Sequence, residues 1–224
     1  AAYSRAEMSP LLHILHLASP ALPIGAFHFS QGLEQAVECG WVRDEKTALE
    51  WIGGIAAGAL GSLDLPVLAR LHEGCSTAND SFVSRWDALL IASRETEELR
   101  AEDRHLGAAL IKVLREIAPD LQVAAPQTYA AGFARACVHW NVPALETLQA
   151  YAWSWAENQV LAAVKLVPLG QSSGQRILHA LIPQLQRLSA EALGKKDSDI
   201  GYSGVMQAVA SARHEFQYTR LFRS

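Results

Sequence analysis

The chain has 224 residues, half of them hydrophobic, with a net charge of −4 and an isoelectric point near 6.1. That length and apolar content suffice for one substantial core, and the acidic balance excludes a typical nucleic-acid binder, which concentrates lysine and arginine. Three cysteines, Cys39, Cys75 and Cys137, stand apart with no C-x-x-C pair. No disulfide framework is expected from them, and the pattern fits a reducing, cytoplasmic setting.

In chain order, the stretch from Met8 to Leu33 carries no Asp, Glu, Lys or Arg. Pro10, Pro20, Pro23 and Gly25 interrupt it, so it is no membrane span. It also lacks the basic region, apolar run and cleavage site of a secretory leader. Met8 reads as a native start, which leaves residues 1–7 outside the functional chain. Ser9-Pro10 predicts a helix start, with Ser as N-cap and Pro where its missing N–H costs nothing. Leu11, Leu12, Ile14, Leu15 and Ala18 form one apolar face. Residues 19–25, with two prolines, predict an ordered loop. A second helix is expected over 30–39, stopped by Gly40. Asp44 caps a third, from Glu45 to about Ala59, and Asp64-Leu65-Pro66 restarts the chain into a short helix ending near Gly74.

Residues 80–117 read as mostly helical. Pro126 opens a helix to Trp140, and Pro143 opens a long one to about Val167, with Leu145, Leu148, Tyr151, Ala152 and Trp155 as its apolar stripe. The last long helix covers 172–193 and is expected to kink at Pro183. No run shows sustained strand alternation, and βα units are missing. The expected class is therefore all-α: one domain over 8–224, a bundle of about eight to ten helices with an irregular C-terminal tail over 195–224. That tail ends on Arg213, His214, Glu215, Tyr218, Arg220, Leu221, Phe222 and Arg223, a composition favoured at interface cores.

Catalytic motifs are missing from the sequence. It has no G-x-x-x-x-G-K-[ST] loop, no G-x-S-x-G elbow, no H-E-x-x-H and no G-x-G-x-x-G. Gly170-Gln-Ser-Ser-Gly174 imitates a phosphate loop without the lysine or the preceding strand. His13 and His16 share a helix face and His28 follows nearby, which makes a thin ligand set. His72 with Cys75 is thinner still. Glu34 is a lone charge in an uncharged segment and needs a partner. Lys165, inside an apolar run, reads as a snorkelling lysine at a helix end or as a polar contact at a subunit surface. Arg94, Glu97, Glu98 and Arg100 read as a solvated helix face.

Four segments in order carry a resemblance. Residues 15–34 (LHLASPALPIGAFHFSQGLE) are followed by 36–42 (AVECGWV). The others are 92–100 (ASRETEELR), 164–176 (VKLVPLGQSSGQR) and 212–224 (ARHEFQYTRLFRS). Together they resemble the UreF family of urease accessory proteins, departing where Ala26 and His28 replace a more usual Gly and a Ser or Tyr. The resemblance implies an all-α protein that tends to dimerise, binds UreD (UreH in some bacteria) and then the GTPase UreG, and acts on apo-urease while nickel is inserted. It implies no catalytic residue, no resident metal and no cofactor.

Under that reading Ser30, Gln31, Gly32, Glu34, Lys165, Gln171, Gln175 and the tail residues Arg213, His214, Glu215, Tyr218, Arg220, Leu221, Phe222 and Arg223 are expected to line partner or dimer surfaces. Two alternatives stay open. One is a GTPase activator supplying Arg213, Arg220 or Arg223 in trans. The other is a nickel-binding chaperone using His13, His16 and His28.

Overall fold

A computed structural model describes residues 9–121, 128–202 and 204–224. These residues form ten α-helices joined by short turns, with no strand among the described residues, as the pattern predicts. Helix α1 (Pro10–Leu17) starts at Ser9-Pro10 as expected. Its Leu17 is buried, but Leu11, Leu12 and Leu15 face outward.

Helix α2 (Leu33–Glu38) is shorter than 30–39 because Gln31 and Gly32 adopt left-handed φ values of 53° and 85°. A side chain at Gly32 would meet Ala210 and the Ser211 backbone at 3.1 Å. This glycine thus supplies both the conformation and the clearance that α10 requires.

Helix α3 (Glu45–Ile55) opens on a reciprocal cap between Asp44 and Thr47. The break expected at Asp64-Leu65-Pro66 does not occur. Instead α3 continues through a π-helical stretch, Ala56–Asp64, into α4 (Leu65–Ser76). The wider π turns shift the hydrogen-bond ladder, so that Pro66 falls in the first turn of the resumed α-helix, where it needs no N–H. Within the continuous helix Glu45–Ser76 an 18-residue window has a mean hydropathy of 1.6, apolar and long enough to cross a bilayer. It is a core helix by placement, since 72% of that apolar window is buried inside the molecule.

The helix expected over 80–117 divides into α5 (Asp80–Ala92) and α6 (Glu97–Ile117). Thr96, in extended conformation, accepts from the Leu99 amide and starts α6. Leu106, Leu110 and Leu114 form the buried stripe of α6; full burial of each stabilises by roughly 1.5–3 kcal/mol. Helix α7 (Tyr129–His139) is capped by Thr128, and the expected start at Pro126 lies outside the described residues. Its Ala130, Ala131, Ala134, Ala136 and Cys137 are buried, small residues that let neighbours approach from several sides, and Phe133 is buried among them. Gly107 of α6 faces the Thr128 carbonyl at about 3 Å, where a Cβ would not fit.

Helix α8 (Ala144–Leu166) packs along α9 (Gln171–Gly194), which runs on through a solvent-facing Pro183. Helix α4 packs against α5, α7, α8 and α9 at the centre. The tail is more ordered than expected. Arg70 bonds Asp197 (2.9 Å) and the Lys195 carbonyl, fixing the turn after α9. An unanticipated helix, α10 (Val205–His214), packs on α2. Its burial against α2, rather than its own short sequence, sustains it. Irregular backbone is left to 215–224.

Candidate functional site

The N-terminal signature loop and the last ten residues form one structure. Ser30 donates both its amide (2.8 Å) and its hydroxyl to the Ser224 carbonyl. The Arg223 amide donates to the His28 carbonyl at 2.8 Å. Glu34, at the start of α2, accepts from the amides of Leu221 (2.7 Å) and Phe222 (2.9 Å). The lone charge of the sequence thus caps the returning tail.

A buried imidazole fastens the same joint. His214, at the C-terminal end of α10, is fully buried, with Nε2 3.1 Å from Glu34 and Nδ1 2.7 Å from Glu98. Each ring nitrogen of His214 therefore faces a carboxylate oxygen, one from α2 and one from α6. Glu98 takes Arg220 Nη1 at 2.8 Å as well. Two carboxylates from α2 and α6 therefore meet an imidazole from α10 and a guanidinium from the tail.

A third set of contacts continues inward. Glu102 accepts from Gln31 (2.8 Å) and from the Ser224 hydroxyl (2.9 Å), and Gln31 in turn accepts from the Trp155 indole (2.9 Å). Burial pushes the Glu102 carboxyl up to about 7, opposed by those hydrogen bonds. The folded chain therefore holds a proton that the unfolded chain releases above its ordinary carboxylate range, so stability falls as pH rises from about 4.5 to 7. Glu102→Gln removes that titration. The variant is expected to flatten the pH dependence of urea midpoints across this window and to gain about 1–3 kcal/mol at pH 8.

Beneath the joint lies a partly open cavity of about 80 Å³ whose polar border is Asp64, Arg94, Glu102, Asp103 and Ser154 and whose apolar border includes Leu60, Leu63 and Leu106. It has room for a few waters. Arg94 bridges Asp64 and Asp103, both at 2.5 Å. Burial raises the Asp64 carboxyl while Arg94 opposes the rise. The stretch 94–100 is therefore not the solvated face expected: Arg94 is half-buried between Asp64 and Asp103, Glu98 is half-buried against His214 and Arg220, and Glu97 and Arg100 pair near solvent at 3.0 Å. The sequence places these charges at helical spacing, but it does not show that Asp64, Asp103 and His214 come to meet them.

Burial disfavours the thiolate at two of the three cysteines. Burial pushes Cys75 up to about 11 and Cys137 up to about 12. His13 lies flat on Trp140 at 4.5 Å, and burial lowers its pKa. Among the described residues no group of three or more His, Cys, Asp or Glu side chains is placed to hold a metal ion.

The expected surface residues divide. Ser30, Glu34, His214 and Phe222 are inside the chain, because they tie the tail to the signature loop. Gln31 and Gly32 belong to the same joint, Gln31 through Glu102 and Gly32 against α10. Lys165 is exposed with Nζ 5.6 Å from the Phe27 ring and 5.8 Å from Phe222, a cation held over two aromatic faces rather than a simple snorkel. Gln171 and Gln175 are exposed at the start of α9, Glu215 is half-buried, and Arg213, Arg223 and Leu221 are exposed. Tyr218 and Phe216 stand fully out, at 104% and 88%. Of the three arginines, Arg220 is held by Glu98, whereas Arg213 and Arg223 have no carboxylate partner among the described residues. Glu98, Glu102, Ser224, Phe27 and Trp155 belong to the joint although sequence reading singled out none of them as site residues.

A family model described as UreF matches residues 42–182. The chain belongs to the UreF family. The relatives agree over nearly full length. The urease accessory protein UreF of Teredinibacter turnerae is 43% identical over 217 residues, covering 96% of this chain and 98% of its own. That of Alcanivorax borkumensis is 44% identical over 227 residues, covering 96% and 99%, and that of Citrobacter koseri is 40% identical over 221 residues, covering 95% and 97%. The signature loop and the tail of this UreF-family chain lie outside the matched 42–182 segment, whereas Glu98, Glu102 and Trp155, which they contact, lie inside it.

Proposed function

We propose that this chain is an adaptor of urease maturation, working as a cytoplasmic homodimer without chemistry of its own. In this reading it binds UreD, recruits and regulates the GTPase UreG, and acts on apo-urease during nickel insertion. The docking surface is the tail over 195–224 together with the signature loop. One observation carries the proposal: a buried ion cluster fixes the tail backbone, so Phe216, Tyr218 and Leu221 are presented to solvent from a rigid base. Ordered aromatic side chains beside arginines are what interface centres use, because little entropy is lost on docking. The pairing of Glu34, Glu98 and Arg94 with neighbours inside the chain favours adaptor over enzyme.

The test is a combined Phe216→Ser, Tyr218→Ser and Leu221→Ser variant, which leaves every hydrogen bond of the joint in place. Such exposed changes alter stability by only about 0.5 kcal/mol each. Co-purification with UreD is expected to fall about tenfold or more, the loss of at least one hot spot. An unchanged yield of UreD would overturn the proposal.

A further inference from the structure

On the outer side of the joint lies a groove of about 460 Å³, formed by the loop Pro23–His28, one face of α6 and the tail. From α6 it receives His105, Ala109, Lys112, Val113 and Glu116, which follow helical spacing along a single stripe. Pro23, Ile24, Ala109 and Val113 give it an apolar floor. Lys112, Arg223, His28 and His105 stand around it, opposed by the single carboxylate of Glu116.

Three features distinguish this groove from ordinary surface. The chain carries more acids than bases, yet here the fixed cations outnumber the carboxylates. Neither Lys112 nor Arg223 has an ion-pair partner among the described residues. Arg223 is also fixed in place, since its amide bonds the His28 carbonyl and the next residue bonds Ser30. Finally, His28 Nδ1 and His105 Nε2 converge to 3.4 Å and 3.9 Å from the point where a Cβ on Gly25 would sit. Gly25 itself sits at φ 77°, a left-handed conformation that its missing side chain permits.

We infer that this groove is a docking site for an acidic, partly aliphatic segment of a partner protein. Its carboxylates would meet Arg223, Lys112 and the imidazole pair, and an aliphatic side chain would lie on Ile24 and Val113. A guanidinium recognises a carboxylate through paired hydrogen bonds, and basic clusters are a recurring way to read acidic motifs. The inference rests on the reading of this chain as a protein that works by docking, and it adds the charge of the segment that docks.

The probe is the peptide Glu-Leu-Glu-Glu-Leu-Glu, titrated into the full chain while the imidazole resonances of His28 and His105 are followed. Saturable shifts are expected, with affinity weakened about tenfold or more in the Lys112→Glu, Arg223→Glu double variant. Affinity should also fall steeply as salt rises from about 0.1 M to about 1 M, where the screening length shrinks to roughly 3 Å. The exposed double variant should melt as the parent does, which separates lost binding from lost folding. The inference is overturned if the Gln-Leu-Gln-Gln-Leu-Gln peptide binds equally, if the double variant binds unchanged, or if inorganic phosphate alone gives the same shifts at the same affinity. Because this titration contains no UreD, its failure is distinct from failure of the co-purification test above.

Discussion

Replacing Arg94 with methionine is expected to destabilise the chain by about 3–5 kcal/mol, among the largest effects of any single substitution here. Arg94 lies between Asp64 and Asp103, and all three side chains are largely buried. Methionine fills much of the volume but leaves two carboxyl groups facing each other with no cation between them. At least one must then take a proton to remain inside.

The pH dependence of that variant has a definite sign. Burial already raises the folded Asp64 carboxyl, and losing Arg94 removes the interaction that opposes the rise. A carboxyl raised in the folded state binds a proton that the unfolded chain has released, so stability drops as pH climbs above the ordinary carboxylate range. Urea denaturation of Arg94→Met should therefore show a deficit that is larger at pH 8 than at pH 5. Adding Asp64→Asn should recover part of it. A deficit that stays constant with pH would mean that Arg94 acts through packing alone.

The second large effect is expected at His214. His214→Ala removes the ring that hydrogen-bonds both Glu34 and Glu98 and leaves a void beneath α10. Breaking a buried ion cluster from one side costs about 3–5 kcal/mol. The consequence should be local first, because 215–224 are irregular backbone whose attachments run through Glu34, Glu98, Ser30 and His28. Amide exchange in 215–224 and in α10 should accelerate by orders of magnitude while α4, α7 and α8 stay protected, as expected for separately opening units. UreD co-purification should fall with it. Uniform loss of protection across α4 and α7 would show instead that the joint is part of the global folding unit.

These two variants also recast removal of the tail. Cutting after Ile200 deletes α10 and every partner of Glu34 described above. A buried carboxylate is thereby stranded, so the truncation disturbs the signature loop as well as removing surface. The exposed-face variant is the cleaner test because it leaves the cluster whole.

Much of this protein is legible in its residues alone. The helical class follows from apolar spacing without strand alternation, and the starts of α1 and α3 follow from Ser9-Pro10 and Asp44. These are local matters, settled by side chains a few residues apart. The family, too, is readable from four short segments. Local chemistry misleads where a distant neighbour overrides it. Pro66 looks like a break and is not one, because the π turns before it absorb the missing donor. α10 looks like tail and is a helix, because α2 covers it.

The joint itself was decided only by tertiary structure. Glu34 announces in the sequence that it needs a partner, since an isolated charge among apolar residues is costly. Its partners, His214 and the amides of Leu221 and Phe222, lie some 180 residues away along the chain. No pattern of spacing encodes that meeting. It arises because closing the core brings residues 28–34 and the tail together against α6, and there the low dielectric makes pairing of the charges far more favourable than leaving any of them alone.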